Sequence, residues 1–149
     1  MRGYPDFLAT PAYAGFGYLY REYDYWHMMA EMETYDAISI AGQGTTMGGL
    51  VKFEMVNELG LLVTPTFVID DVAVELPTVA SWEDVQCLGE TDLFYRLVEY
   101  EVYDGWVKAS LSIVPGTTWG FSLILRFHNA TMLTAGVDTL LYYRKCERA

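Results

Sequence analysis

Residues 93–114 read LFYRLVEYEVYDGWVKASLSIV. In the second arm, Val107, Ala109, Leu111 and Ile113 alternate with Trp106, Lys108, Ser110 and Ser112, the two-residue period of a strand with one buried face. The first arm sets Phe94, Arg96, Val98, Tyr100 and Val102 against Tyr95, Leu97, Glu99, Glu101 and Tyr103, and its β-branched and aromatic types favour a strand. Between the arms stands Asp104-Gly105, a pair suited to a two-residue hairpin turn. An antiparallel hairpin is therefore expected.

Toward the C-terminus, Pro115-Gly116 turns the chain again and Trp119 to Phe127 continues as a strand. A loop over 129–136 and a last strand over 139–146 follow. Turns every eight to twelve residues read as an antiparallel meander, which favours a β-sandwich or small barrel. Toward the N-terminus, Ala37 to Ile40 is a strand, and Gly42-Gln43-Gly44-Thr45-Thr46-Met47-Gly48-Gly49 reads as a mobile loop. Leu50 to Glu58 alternates Val51, Phe53 and Met55 against Lys52 and Glu54. Residues 61–76 are rich in β-branched types, with Asp70-Asp71 as a turn or bulge between two strands. Thr78 to Leu88 is the helix candidate, with Ser81 as its cap and Gly89 as its stop. His27 to Thr34 reads as a short helix or an extended connector. The expected fold is mainly β: one antiparallel sandwich or jelly-roll-like domain, 27–149, with one short helix and an extended N-terminal arm, 1–26.

That arm holds nine aromatic residues: Tyr4, Phe7, Tyr13, Phe16, Tyr18, Tyr20, Tyr23, Tyr25 and Trp26. Glycine and proline interleave them, as in Pro11-Ala12-Tyr13-Ala14-Gly15-Phe16-Gly17-Tyr18. Solvated tails are poor in aromatics, and long helices do not tolerate such breaks. The segment must lie on something already built, its own domain or a neighbouring subunit. Its last part, Tyr18 to Trp26, alternates Leu19, Tyr23 and Tyr25 with Tyr20, Glu22, Asp24 and Trp26, as a strand does.

Composition narrows the function. The 149 residues are 52% apolar, enough for one domain with a substantial core. The net charge of −11 repels phosphate backbones and anionic lipid, so neither nucleic acid nor membrane is an expected partner. Ten acids and one base, Arg96, lie between Thr66 and Asp104, while Arg144, Lys145 and Arg148 crowd the end. Those patches can meet head to tail between subunits, or the acids can form a solvated face. Twelve tyrosines against three lysines match the bias of association surfaces. Pro5 and Asp6 interrupt any early apolar run, so no signal peptide is expected. The 109–125 stretch, broken by Pro115-Gly116, reads as two strands and not a bilayer span. Asn129-Ala130-Thr131 matches a glycosylation acceptor, a match expected to be accidental where no signal peptide is expected.

Chemical constellations are sparse, and no motif ties the chain to a known family. Gly42, Gly44, Gly48 and Gly49 lack the lysine and spacing of a phosphate loop. Cys87 beside His27 or His128 would make a thiolate–imidazole pair, but Cys87 falls at the end of the proposed amphipathic helix, where a small buried thiol is commoner. Asp70, Asp71 and Glu75, or Glu99, Glu101 and Asp104, offer carboxylates for a divalent ion, without an ion-binding loop around them. Neither metal, cofactor nor catalytic residue is expected. The function expected is non-enzymatic assembly: a virus or phage particle component such as a capsid-decoration protein, forming a homo-oligomer or binding a major shell protein through Tyr4, Phe7, Tyr13, Phe16, Tyr18 and Tyr20. Its place is then a particle assembled inside the cell. The alternative is a small carbohydrate-binding module that stacks sugars on Trp106 and Trp119, with Trp82 as a third candidate.

Overall fold

A computed structural model describes residues 18–56, 62–82 and 94–145. These hold ten strands: Tyr18–Met29 (β1), Thr34–Ala41 (β2), Gly44–Val56 (β3), Val63–Ile69 (β4), Val72–Glu75 (β5), Tyr95–Tyr103 (β6), Trp106–Ile113 (β7), Thr118–Trp119 (β8), Ser122–Asn129 (β9) and Ala135–Lys145 (β10). They build two antiparallel sheets, β1-β10-β3-β7-β6, with β8 on the end of β3, and β2-β9-β4-β5.

With β6 and β8 set aside, the strands pair first with last: β1 with β10, β2 with β9, β3 with β7, β4 with β5. The pairs interleave through β10 on β3 and β9 on β4. This is a long hairpin rolled into a sandwich, the jelly roll. The meander expected for the C-terminal half holds only for β6 and β7. After β7 the chain crosses to the other sheet. The break falls at Gly120-Phe121, between Trp119, whose ring is buried in the core, and β9, which pairs between β2 and β4.

Two hairpin turns follow from side-chain chemistry. Asp104 and Gly105 have φ of 46° and 78°, and Asp70 and Asp71 have 51° and 66°. Positive φ at both central positions gives the primed turn whose twist matches that of paired strands, and aspartate tolerates it through local hydrogen bonding. Asp70 does more. Its carboxylate accepts the N–H groups of Phe121 (2.7 Å), Gly120 (2.8 Å) and Ser122 (3.1 Å), clamping the β4–β5 turn onto the β8–β9 link. Those three bonds, Phe121 foremost, hold its pKa below the ordinary aspartate value.

Between the sheets lie the inward positions of every long strand, among them Val51, Phe53, Met55, Phe67, Val107, Leu111, Leu125, Phe127 and Leu141. Phe53 meets Phe127 edge-on at 5.5 Å, so rings from the two sheets interlock. Trp82 and Tyr95 close one side at 6.1 Å.

Several expectations are corrected. Only Gly42-Gln43 turns; Gly44 to Gly49 is the first half of β3. Its glycines serve close packing, since a Cβ at Gly44 would overlap Trp119 and one at Gly49 would overlap the Leu140 carbonyl. Ser81 is not a cap: it lies within the helical turn 79–82, and its N–H and hydroxyl both donate to the Thr78 carbonyl (2.9 and 2.8 Å). The proposed remainder of that helix lies outside the described residues, as does Cys87. Residues 27–34 are neither helix nor long connector, but the end of β1, a turn and the start of β2. The last strand starts at Ala135 and not at Thr139. A bulge at Val98 breaks the expected alternation of β6 after Leu97, and another at Tyr25-Trp26 breaks that of β1.

Candidate interaction surface

Strand parity assigns the outer face of the β1-β10-β3-β7-β6 sheet. On β10, Val137, Thr139, Leu141 and Tyr143 point inward, so Asp138, Leu140, Tyr142 and Arg144 point outward. Register then places Leu19, Arg21 and Tyr23 of β1, and Gly48, Leu50 and Lys52 of β3, on the same outer face. A two-faced antiparallel sheet normally carries polar residues there. Here Leu19, Met47, Leu50, Leu140 and Tyr142 instead line a groove of about 510 Å³, with Arg144 among its walls. A second depression of about 180 Å³ continues it between Tyr23, Lys52 and Asp138.

Toward the far end of β1 the face grows more aromatic. The Tyr23 hydroxyl donates to Asp138 at 3.1 Å, and desolvation together with that bond raises its pKa. Tyr25 packs edge-on against Tyr23 at 5.9 Å and is 78% exposed. The β1 bulge turns the Trp26 ring over Gly136, where a Cβ would overlap it. Met28 follows, half exposed, and leads to Met32, Met132 and Leu133 at the tip of the sandwich. That tip is fixed. Met32 N–H donates to the Thr131 carbonyl at 3.2 Å, and the Asn129 amide donates to the Ala30 and Leu133 carbonyls at 3.0 and 2.6 Å. Asn129 is wholly buried, so in the fold its amide is a keystone and not a glycan acceptor.

Charge on this face differs from charge elsewhere. Arg21, Lys52, Arg96, Lys108 and Arg144 share the outward register with Glu54, Glu99, Glu101 and Asp138. Five bases against four acids leave the face near neutral on a chain of net charge −11.

The sequence candidates distribute unevenly. Tyr4, Phe7, Tyr13 and Phe16 lie outside the described residues. Tyr18 and Tyr20 belong to β1; Tyr18 is 42% exposed, whereas Tyr20 faces inward and stacks on Tyr143 at 5.5 Å. Trp82 and Trp119 are core residues, leaving Trp106, 40% exposed, from the sugar-stacking set. Glu99 and Glu101 do share an outward face, whereas Asp70 is committed to its backbone clamp. His27 hydrogen-bonds Glu33 at 2.7 Å and stacks on Tyr35 at 3.6 Å, while His128 meets Thr34 at 2.9 Å. Among the described residues no three His, Cys, Asp or Glu side chains gather as metal ligands do, and no helix is long and apolar enough to cross a membrane.

Sequence reasoning missed Leu50, Leu140, Tyr142 and Met47. One signal was present. Leu140-Leu141-Tyr142-Tyr143 is apolar at consecutive positions, and so is Leu50-Val51, which in a strand means both faces are apolar. No protein-family model matches the chain, and no curated protein matches it.

Proposed function

We propose that this is a non-enzymatic assembly protein, a virus or phage particle component of the capsid-decoration kind, which binds copies of itself or a major shell protein. The observation that carries the reading is the outer face of β1, β10 and β3. There Leu50, Leu140, Tyr142, Tyr23, Tyr25 and Trp26 form a near-neutral apolar surface on an otherwise acidic molecule. Aromatics and methionine with few lysines are the composition of association surfaces. β1 also ends its sheet, with no strand beyond it among the described residues, so its edge offers backbone groups for a neighbour to pair. The jelly roll supports the reading by analogy alone, because capsid and lectin domains share it. The particle role comes from the match of a small, acidic, motif-poor domain to repeated subunits whose weak contacts add through multivalency.

Light scattering on the full chain tests association directly. The mass is expected at a multiple of 16.9 kDa in the micromolar range. A chain that stays monomeric there, and binds no shell protein from particles, sinks the reading.

A further inference from the structure

A face of this shape calls for an occupant, and the chain carries one of matching chemistry. We infer that the groove walled by Leu19, Met47, Leu50, Leu140, Tyr142 and Arg144 receives residues 1–17 of a second copy, an inference that rests on the assembly reading above. The groove is an open one, of about 510 Å³, a shape that suits an extended segment laid across it. Gly48, opposite Tyr142, contributes no side chain and leaves room for an entering ring. Met47 supplies a thioether that adapts to an aromatic partner.

The segment MRGYPDFLATPAYAGFG carries Tyr4, Phe7, Leu8, Tyr13 and Phe16, apolar and aromatic groups of the kind an apolar groove receives. Length puts a second copy within reach. Seventeen residues reach up to about 56 Å at ~3.3 Å each, whereas a domain the size of residues 18–145 is roughly 35 Å across. Leu19 lines the groove one residue past the start of β1, so a chain filling its own groove must reverse at once. At that reach the distal residues, Tyr4 and Phe7, can extend past their own domain to a neighbour's groove. Because each copy has one such segment and one such groove, repetition of the contact builds a closed ring or a continuous layer.

The test uses the full chain with a photoreactive benzoylphenylalanine in place of Phe7. Light and heavy-nitrogen copies are mixed at a concentration where light scattering reads monomer, then concentrated and irradiated. Cross-links are expected from position 7 of one isotopic chain to the segment around Leu140 and Tyr142 of the other. Leu140→Arg, an outward substitution, should cut their yield by about tenfold or more while leaving the thermal midpoint unchanged at the dilution where light scattering reads monomer. Cross-links confined to one isotope would overturn arm exchange. Inter-copy cross-links elsewhere, with an oligomeric mass, would overturn the groove and leave the assembly reading standing. A monomeric mass without inter-copy cross-links would remove both.

Discussion

Replacing Tyr25 with serine separates an association surface from an ordinary exposed ring. Tyr25 is 78% exposed, and an aromatic side chain can bury about 150–250 Å², so roughly 120–190 Å² remains for a partner to cover. At ~25 cal/mol per Å² this is about 3–5 kcal/mol of transfer free energy. Incomplete coverage and ordering of the side chain remove about half, leaving roughly 1.5–2.5 kcal/mol, about a ten- to seventyfold change in the dissociation constant. Folding should hardly notice. The ring's recorded contact is the edge-on packing with Tyr23, and a surface substitution of this kind stays within about 0.5 kcal/mol. Sedimentation across a concentration series reads the first quantity and urea unfolding the second. Unchanged self-association with unchanged stability would refute the assignment of this face. So would a large loss of stability, because it would mean the ring supports its own fold.

Three further outcomes follow from the geometry. Burial, with the hydrogen bond to Asp24 at 2.8 Å, pushes the Tyr35 phenol up to about 12, so its stabilising contribution is complete below pH 10 and fades as pH rises through about 12. Tyr35→Phe should remove one step near pH 12 from the tyrosinate absorbance titration, and an unchanged amplitude there refutes this placement. The Asp70 clamp has the opposite sign. Its lowered pKa makes the contribution complete above 3.8 and lost as pH falls through the lower folded value, so the stability advantage of the parent over Asp70→Asn should vanish in acid. An advantage that persists there rules out the charged clamp. Gly49→Ala should lower the melting temperature more than Gly116→Ala. Both glycines have positive φ, 156° and 107°, but a Cβ at Gly49 would also meet the Leu140 carbonyl, whereas Gly116 has open space; the reverse order in calorimetry refutes the close-packing role.

Local features of the fold were legible and non-local ones were not. Asp104-Gly105 announced its hairpin, and the alternation of Val107, Ala109, Leu111 and Ile113 named a core face without any structure, because turn chemistry and period two are properties of adjacent residues. The rolling of the hairpin was hidden. Pairing of β1 with β10 joins residues more than a hundred positions apart, and nothing in either strand names its partner. Gly44 to Gly49 misled because glycine marks both flexible loops and tightly packed backbone, and the deciding fact, the approach of Trp119 and Leu140, is tertiary. The candidate surface was half legible. The aromatic excess near the front pointed to β1, but Leu50 and Leu140 emerge only once register is known, since a slip of one residue exchanges the two faces of a strand.

The placement of charge joins the fold to the proposed function. A chain of net charge −11 repels its own copies from most directions, which favours solubility over association. Arg21, Lys52, Arg96, Lys108 and Arg144 all face outward on one sheet, where they offset Glu54, Glu99, Glu101 and Asp138. The same sheet carries the apolar groove and the aromatic run of β1. Repulsion is therefore weakest where apolar area is largest, so the two effects that govern encounter and retention favour one orientation of approach. The opposite sheet shows the contrast. Its outer face holds the Arg126–Asp36 pair at 2.6 Å and the Thr34–His128 bond at 2.9 Å, polar groups that satisfy one another within the chain. On the proposed assembly reading, the apolar, charge-balanced sheet is the side that would meet a neighbour.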